Sequence, residues 1–418
     1  MQTYFDKHLF KPIRLHEQPD DRLSLIIVIP CFNEPDIVGT LNSLRACEPC
    51  SGCAEIIIVI NSSADASPAI KSQNEKTFHQ IVSWKENVKN LPFKIFILRD
   101  EDLPSKHAGV GLARKIGMDE AAFRFERIGR KGILLCLDAD CTVEPEYLRA
   151  VESYFWKHRT AKAASIYFEH PLDALDSSVR EGIMNYELHL RYYVQALRYA
   201  GYPYSFHTIG SCMCVRSDVY QRAGGMNRRK AGEDFYFLHK IMPMGGFGEI
   251  TTTTVYPSSR ISERVPFGTG KAMNDWVNKK TAQRATYDVR IFDDLKIFLS
   301  HLPALYGAGQ KKISSVVNHL PEAVRTYLLQ NDFSGKMDEI SRNTASAAAF
   351  IHRTYRWLDG FRILKMVHFM RDNFFPNIPV SEAAKKLLKR INRMACDDNS
   401  LLDVYRKLDK PQSRYSKF

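Results

Sequence analysis

Two aspartates, Asp138 and Asp140, stand one residue apart at the end of the apolar run GILLCL. Side chains two positions apart in an extended chain lie on the same side, so this D-x-D sequence can direct both carboxylates into one crevice. Mg²⁺ and Mn²⁺ are commonly held by one or two carboxylates together with phosphate oxygens of a substrate. The pattern therefore indicates a metal-assisted nucleotide-diphosphate site. The alternative is a polar turn in which Asp140 or Thr142 caps the helix near Pro145.

A second pair of carboxylates, Glu233 and Asp234, follows the glycine-containing loop AGGMNRRKAG and begins a helical pattern. The positive end of a helix stabilises an ionised carboxylate. An ionised carboxylate beside a reacting hydroxyl can act as a general base. Taken alone, the motif also suits plain capping of the helix N-terminus.

These carboxylates need a scaffold, and four runs rich in β-branched residues supply one. The runs are residues 23–29, 55–60, 93–98 and 132–137. They are continuous rather than alternating, which is typical of strands buried on both faces of a parallel sheet. Helical patterns at 68–90 and 109–127 are long enough for crossover connections. The sequence therefore predicts an α/β fold with an open, mostly parallel, doubly wound sheet flanked by helices.

In such sheets, ligands bind beyond the carboxyl ends of the strands. Polar residues follow three of the four predicted strands, at 30–34, 61–65 and 138–140. Because the carboxyl ends of parallel strands meet at one edge, we expect these residues to share a crevice.

The second half of the chain changes character. A strand at 163–168 and a long helix at about 177–200 are predicted, and after about Asn274 the pattern is almost wholly helical, with no convincing strand. We expect an N-terminal extension at 1–22, an α/β domain at 23–275 and a mainly α-helical C-terminal region at 276–418.

Composition restricts the class of protein. A hydrophobic content of 44% and a charged content of 25% fit a folded globular chain. The net charge of +12 favours acidic partners such as nucleic acid, anionic lipid or phosphorylated substrates. Nine cysteines and the absence of a secretory signal pattern at the start indicate a reduced, cytoplasmic setting. No run approaches the ~18 apolar residues of a membrane-spanning helix, so any membrane contact is expected to be peripheral, at the inner face.

Two basic features are interpreted as structural. Lys115 is expected to be an ordinary charge on a helix surface. The stretch 381–395 predicts an amphipathic basic helix that either packs on its own domain or lies on an anionic membrane.

Five short motifs occur in a fixed order along the chain. They are P-x-x-N-E after the first strand, a small polar loop after the second, KHAGVGLARKIG before the fourth, D-A-D after it, and G-E-D-F further on. In this order they resemble the family 2 glycosyltransferases of the GT-A fold, over roughly residues 23–270. Gly210 and Ser211, before MCVRSDVYQRAGGM, match the acceptor-side segment of that family.

The resemblance implies a nucleotide-binding role for the loops after the first two strands. Pro30, Asn33 and Glu34 are expected around the nucleoside, with Glu34 accepting a hydrogen bond from the ribose or base. Asn61 stands where the family usually has an aspartate that reads the base. Because an amide both donates and accepts, this departure keeps UDP-sugars favoured but leaves GDP- and dTDP-sugars open.

The resemblance also implies groups for the diphosphate. Arg114 is expected near the nucleotide or diphosphate, Asp138 at the ribose or sugar, and Asp140 as ligand of a divalent metal, Mn²⁺ or Mg²⁺. Downstream, Arg260 and Arg264 are expected to close over the phosphates, because guanidinium groups match phosphate oxygens in geometry. The alternative for this segment is a linker with incidental arginines.

On the acceptor side, Asp234 is expected to be the base that deprotonates the acceptor hydroxyl, with Glu233 positioning it or binding the acceptor. The implied activity is an inverting, metal-dependent transfer of sugar from a nucleotide-sugar donor to a saccharide or lipid-linked acceptor of an envelope glycan. No nucleic acid partner is expected.

Two alternatives stay open. The first is a nucleotidyltransferase that makes nucleotide-sugars. Such an enzyme would carry a glycine-rich loop after the first strand, and PCFNE does not match that loop. A degenerate saccharide- or nucleotide-binding protein without activity suits the positive charge, but the presence of both D-A-D and E-D argues against it.

Overall fold

The computed structural model describes residues 4–173, 175–260, 268–279, 284–393 and 401–410. The strands are β1 Leu23–Cys31, β2 Cys53–Ser63, β3 Phe93–Leu103, β4 Ile133–Cys136, β5 Thr142–Val143, β6 Ala163–Phe168, β7 Met213–Arg216, β8 Phe247–Tyr256, β9 Ala285–Thr286 and β10 Ile378–Pro379. The helices are α1 Tyr4–Lys7, α2 Ile37–Arg45, α3 Pro68–Asn87, α4 Val110–Arg127, α5 Tyr147–Lys157, α6 Ser177–Ala200, α7 Ser217–Arg222, α8 Glu233–Ile241, α9 Thr269–Lys279, α10 Val289–His301, α11 Gly309–Asn318, α12 Glu322–Gln330, α13 Phe333–Arg342, α14 Ala347–Trp357, α15 Gly360–Asn373, α16 Val380–Arg390 and α17 Leu401–Asp409.

The described residues form two compact units. Of the described residues, the sheet unit contains those within Met1–Ala174 and Thr208–Asp275 together with Lys410, and the helical unit contains those within Leu175–His207 and Trp276–Asp409. The helical unit thus includes α6, from the middle of the chain. The domain bounds 1–22, 23–275 and 276–418 stay a prediction.

The sheet unit is built on one eight-stranded sheet in the order β3-β2-β1-β4-β7-β6-β8-β5. Strand β1 pairs in parallel with β2 and β4, and β2 pairs in parallel with β3. Strand β7 runs antiparallel to both β4 and β6. Almost every residue of β1 and β2 is buried, as their continuous apolar sequences predict. The predicted α/β class with a mostly parallel sheet and a mainly helical C-terminal region is confirmed.

Helix α4 is buried nearly all round because the N-terminal segment covers its outer face. The Tyr4 hydroxyl donates to Asp119 Oδ1 at 2.7 Å, and the Arg14 N–H donates to Glu120 at 2.9 Å. Lys115 is only 4% exposed, with its Nζ 3.0 Å from Asp119 Oδ2. The expectation of a surface lysine is therefore wrong, because a segment more than 100 positions away in sequence shields it.

The helical unit is mainly helical, with one antiparallel pair of two-residue strands, β9 and β10, where no strand was expected. The amphipathic helix predicted at 381–395 forms as α16, and residues 394–395 lie outside the described ranges. Its apolar face, including Ala384, Leu387 and Leu388, is buried, and the helix contacts α6. This face is therefore covered by its own unit rather than presented to a membrane.

A buried ionic cluster attaches α17 to α6 within the helical unit. The Asp409 carboxylate accepts from Arg191 at 2.6 Å, from Gln195 at 2.6 Å and from Arg198 at 3.1 Å.

Within the described ranges, no helix has both the length and the apolar character needed to cross a membrane.

Candidate active site

The candidate active site lies where β1, β2 and β4 end in the sheet unit. Because β1 pairs in parallel with β2 and β4, these three ends lie at one edge of the sheet. Pro30 is the penultimate residue of β1 and is paired with Val59 of β2. The D-A-D sequence follows β4. The strand ends that the sequence predicts to be neighbours are therefore neighbours.

Asn33, just after β1, has a left-handed backbone with φ of 49°, a conformation that asparagine tolerates better than most residues. Its N–H donates to the side-chain oxygen of Asn74 in α3 at 3.0 Å. The Asn74 amide donates in turn to the backbone carbonyl of Asn61 at 3.2 Å. Asn74 is completely buried, so a single amide fixes the ends of both β1 and β2.

The sequence analysis missed Asn74, although a signal was present. Along α3 the buried residues are Asn74, Thr77, Ile81 and Trp84, which form one stripe at helical spacing. The first two positions of this core-facing stripe are polar. Polar residues on such a stripe must find buried partners, and here the partners are the loop that follows β1 and the last residues of β2.

Glu34 is 2% exposed and is held through both its backbone and its side chain. Its carbonyl accepts from the Thr77 hydroxyl at 2.5 Å, and its carboxylate accepts from the N–H of Asp36 at 3.0 Å. The same carboxylate accepts from Arg260 Nη1 at 3.0 Å and from Nη2 at 2.7 Å. Glu34 therefore forms a bidentate ion pair, and its predicted contact with the nucleoside stays a prediction.

Arg260 lies just beyond β8 and joins two of the motifs. Besides Glu34, its Nη2 contacts Asp140 Oδ2 at 3.2 Å. The P-x-x-N-E loop and the D-A-D sequence are thus bridged by one guanidinium. Arg264, the second arginine expected here, lies outside the described residues.

Asn61, at the end of β2, is 2% exposed. Among the described residues its side-chain oxygen Oδ1 has no hydrogen-bond partner. A buried acceptor left without a donor costs about 1–3 kcal/mol. A ligand with an N–H group would remove that penalty, which is a physical reason to regard Asn61 as a binding residue.

Arg114 joins the two carboxylate motifs. From α4 its guanidinium donates to Asp138 through Nη2 and to Glu233 through Nη1. Arg114 and Glu233 are only 3% and 2% exposed. The structure thus gives Arg114 two carboxylates as partners, and its predicted contact with a diphosphate stays a prediction.

Gly210 provides the space for this guanidinium. A Cβ atom at Gly210 would lie 2.2 Å from Arg114 Nη1, much closer than non-bonded atoms approach. A side chain at this position of the Gly210-Ser211 segment would therefore displace the Arg114 guanidinium. Glycine allows the strand-entry segment before β7 to lie directly against the Arg114 side chain.

Helix α8 begins at Glu233, directly after Gly232, whose φ of 68° lies in the left-handed region. The Asp234 carboxylate accepts from the N–H of Phe235 at 2.7 Å, so it also satisfies part of the helix N-terminus. Burial raises the pKa of Asp234, and Arg114 opposes this rise. Burial raises the pKa of Glu233 to about 7, again against the effect of Arg114. Both carboxylates therefore hold protons more strongly than usual.

The predicted residues fall into two connected clusters. Arg260 links Glu34 with Asp140, and Arg114 links Asp138 with Glu233. The D-A-D sequence contributes one aspartate to each cluster. Four of the five sequence motifs therefore meet through two arginines.

Asp140 was predicted to hold a divalent metal. Within the described ranges, no group of three or more His, Cys, Asp or Glu side chains is arranged to hold a metal ion. Mg²⁺ and Mn²⁺ at nucleotide sites need no such cage, since one or two carboxylates and the substrate phosphates suffice. Asp140, half-buried and in contact with a cation, fits this mode.

An α/β sheet with paired carboxylates at its strand ends is typical of enzymes that bind nucleotides at that edge. Residues 133–308 match the family model described as glycosyl transferase family group 2. The match begins at β4, includes D-A-D and E-D, and extends into the helical unit. The predicted resemblance to the family 2 glycosyltransferases is thereby confirmed over this part of the chain. A comparison with curated proteins gives no match.

Two solved structures are similar to this chain. S. aureus TarS 1-349 in complex with UDP-GlcNAc is 15% identical, with a TM-score of 0.42, over 80% of this chain and 92% of that chain. Glucosyl-3-phosphoglycerate synthase from Mycobacterium tuberculosis, in complex with Mn²⁺, UDP and glucosyl-3-phosphoglycerate, is 12% identical, with a TM-score of 0.37, over 63% and 84%. At these values neither similarity assigns a donor or an acceptor to this chain.

Proposed function

We propose that this family 2 glycosyltransferase transfers a sugar, with inversion, from a nucleotide-diphosphate donor to an acceptor hydroxyl. One observation carries the proposal: Arg114 connects Asp138 of D-A-D with Glu233 of E-D. The groups proposed for the donor and those proposed for the acceptor thereby belong to one site. A UDP-sugar is the favoured donor, and the acceptor is a saccharide or a lipid-linked saccharide of an envelope glycan.

The proposed nucleoside site is supported by the loops after β1 and β2. Pro30, Asn33 and Glu34 would border the nucleoside, and the unpartnered Asn61 oxygen would accept from an N–H on the base. Uracil and guanine both carry such an N–H at the pairing edge. The amide therefore favours bases that donate at this position, without choosing among them by itself.

The proposed phosphate site is supported by the Arg260 cluster. Arg260 pairs with Glu34 and Asp140, yet a guanidinium matches phosphate oxygens at least as well as a carboxylate. Donor binding would then transfer Arg260 from these carboxylates to the diphosphate, with Arg264 as a second candidate. This exchange would also leave Asp140 available for a cation.

Asp140 is the residue proposed to hold Mn²⁺ or Mg²⁺ beside the donor phosphates. A divalent ion in that place neutralises the charge that develops on the leaving diphosphate. Asp138, fixed by Arg114, would contact the ribose or the sugar.

Asp234 is the proposed general base. Its neighbour Glu233 is engaged by Arg114, whereas the Asp234 carboxylate accepts from the N–H of Phe235. A raised pKa strengthens Asp234 as a proton acceptor. Glu233, fixed by Arg114, would orient Asp234 and the acceptor.

The test uses the purified full chain with a panel of UDP-, GDP- and dTDP-sugars and Mn²⁺. One donor should raise the melting temperature clearly more than the others and should be turned over. Asp234→Asn should retain that thermal shift but lose about 10²–10⁴-fold in turnover. Near-normal turnover by Asp234→Asn would remove it as the base, and the absence of any stabilising donor would contradict the proposed function. Release of pyrophosphate from a nucleoside triphosphate and a sugar phosphate would instead support the nucleotidyltransferase alternative.

A further inference from the structure

The helical unit contains a cavity that the proposed site does not use. Its volume is about 250 Å³, and it lies among the ends of α12, α13, α14 and α15. Its apolar lining is formed by Leu328, Leu358 and Met366, each at most 1% exposed. A cavity of this size is slightly smaller than the roughly 300–1,000 Å³ typical of sites for larger organic ligands. It suits a ligand of about one ring.

Aromatic and polar groups surround this apolar lining. Tyr327 and Trp357 contribute rings, and the Arg362 guanidinium lies 4.7 Å from the centre of the Trp357 ring. One Arg362 nitrogen, Nη1, donates to the Trp357 carbonyl at 2.6 Å, which fixes the guanidinium in place. The remaining nitrogens of its side chain have no hydrogen-bond partner among the described residues. Arg362 therefore presents fixed donors next to an aromatic surface.

Asp332, which is exposed to solvent, contributes acceptors to the same cavity. It is the residue before α13 and has a left-handed backbone with φ of 45°, a region that glycine adopts most easily and that Asp and Asn tolerate better than other residues. Its carboxylate makes no capping hydrogen bond to α13. No side chain within the described ranges forms an ion pair with it, even though Lys336 and Arg362 also line the cavity. Lys336 pairs instead with Glu339 at 2.7 Å.

The charges of these groups restrict the chemistry of a ligand. A phosphate would be attracted by Arg362 and Lys336 but repelled by Asp332, and an amine would be attracted by Asp332 but repelled by the two cations, so neither charged ligand suits the whole lining. A hydroxyl group both donates and accepts hydrogen bonds, so a neutral polyol can satisfy the carboxylate and the guanidinium together. The apolar face of a sugar ring can also pack on an aromatic side chain. The lining therefore favours a neutral, polyhydroxylated ring.

We propose that this cavity binds one neutral sugar unit of a glycan. The inference goes beyond the proposed function, because it assigns a saccharide site to the helical unit that is separate from the donor site. It does not require turnover of any donor. A glycan held here would bind the enzyme through a unit other than the one that reacts.

The experiment measures binding of methyl glycosides to the full-length protein by ligand-observed NMR and calorimetry. The panel contains neutral hexosides and N-acetylhexosaminides, with inorganic phosphate and methylamine as charged probes. The informative variant is Asp332→Gly, which removes the carboxylate and suits the left-handed backbone. The matched control is Asp338→Asn in α13, because Asp338 pairs with Arg342 and does not line the cavity.

At least one glycoside should bind saturably to the parent protein and to Asp338→Asn. Its affinity should fall about tenfold or more in Asp332→Gly, because a hydrogen bond to a charged group is lost. The melting temperature of Asp332→Gly should be unchanged or higher, which separates loss of binding from loss of folding. Asp332→Asn, which also tolerates this backbone, provides the same test should the glycine variant be unstable.

Three results would overturn the proposal. They are binding of no glycoside, equal glycoside binding by the parent protein and Asp332→Gly, and Asp332-dependent binding of phosphate or methylamine alone. None of them affects donor turnover. Conversely, loss of donor turnover would leave glycoside binding untouched, so the two proposals fail independently.

Discussion

Replacing Arg114 with methionine removes the cation that joins Asp138 to Glu233. Glu233 is 2% exposed, so the substitution leaves a buried carboxylate without its counter-charge. Breaking a buried ion pair in this way costs about 3–5 kcal/mol. A typical domain has about 5–15 kcal/mol of stability, so the variant should fold but unfold at clearly lower denaturant concentration.

The loss should depend on pH in a defined direction. The folded pKa of Glu233 is about 7, above its ordinary value of 4.5. The contribution of Glu233 to the free energy of unfolding is therefore fully present below pH 4.5 and is lost as the pH rises through 7. Without Arg114 this pKa rises further, so the loss extends to higher pH. The destabilisation by Arg114→Met should be small at pH 5 and approach about 3–5 kcal/mol at pH 8.

The assay is urea unfolding of four proteins at pH 5 and pH 8: parent, Arg114→Met, Glu233→Gln and the double variant. The double variant should recover about 2 kcal/mol relative to the sum of the single effects, because the unpaired charge is gone. It should remain inactive, because the link between the two motifs is broken.

A matched control lies on the same helix. Arg124 is fully buried and pairs with Glu55 at 2.6 Å, about 15 Å along α4 from Arg114. Arg124→Met should lose similar stability but keep the donor turnover of its folded fraction. Additive, pH-independent losses in the cycle, or full turnover by Arg114→Met, would refute the reasoning.

Three further predictions concern the donor site. Asn74→Leu should raise the donor KM about tenfold or more with a smaller effect on kcat, since it releases the loop after β1 and the end of β2 together; an unchanged KM would contradict this positioning role. Asn61→Leu should leave the melting temperature unchanged or higher, because it removes an unpartnered buried acceptor, and should weaken donor binding; tighter binding in a thermal-shift titration would be inconsistent with base recognition. Asp140→Asn should abolish stimulation of turnover by Mn²⁺ while the protein stays folded, and undiminished parent activity in chelator would rule out the metal role.

Local sequence pattern was sufficient for much of the sheet. The runs at 23–29, 55–60, 93–98 and 132–137 form β1 to β4, because continuous apolar segments of that length must be buried on both faces. The same pattern located the strand ends, and therefore the crevice. The helices predicted at 68–90 and 109–127 form α3 and α4.

The partners of individual side chains were less predictable. Arg114 and Glu233 are 119 positions apart, and no local period shows that they will meet. Lys115 was taken for a surface residue because the segment that buries it begins 111 positions earlier, at Tyr4. Asn74 is different: its polar side chain on a core-facing stripe was visible in the sequence and identifies a residue that must have buried partners.

The configuration of the released sugar tests the central claim most directly. With the stabilising donor and water as acceptor, proton NMR can follow the first turnovers before the free sugar mutarotates. An α-linked nucleotide-sugar should release the β-anomer first, and Asp234→Asn should release almost none. Initial release of the α-anomer, or equal rates from the two proteins, would contradict single-step inverting transfer by this site.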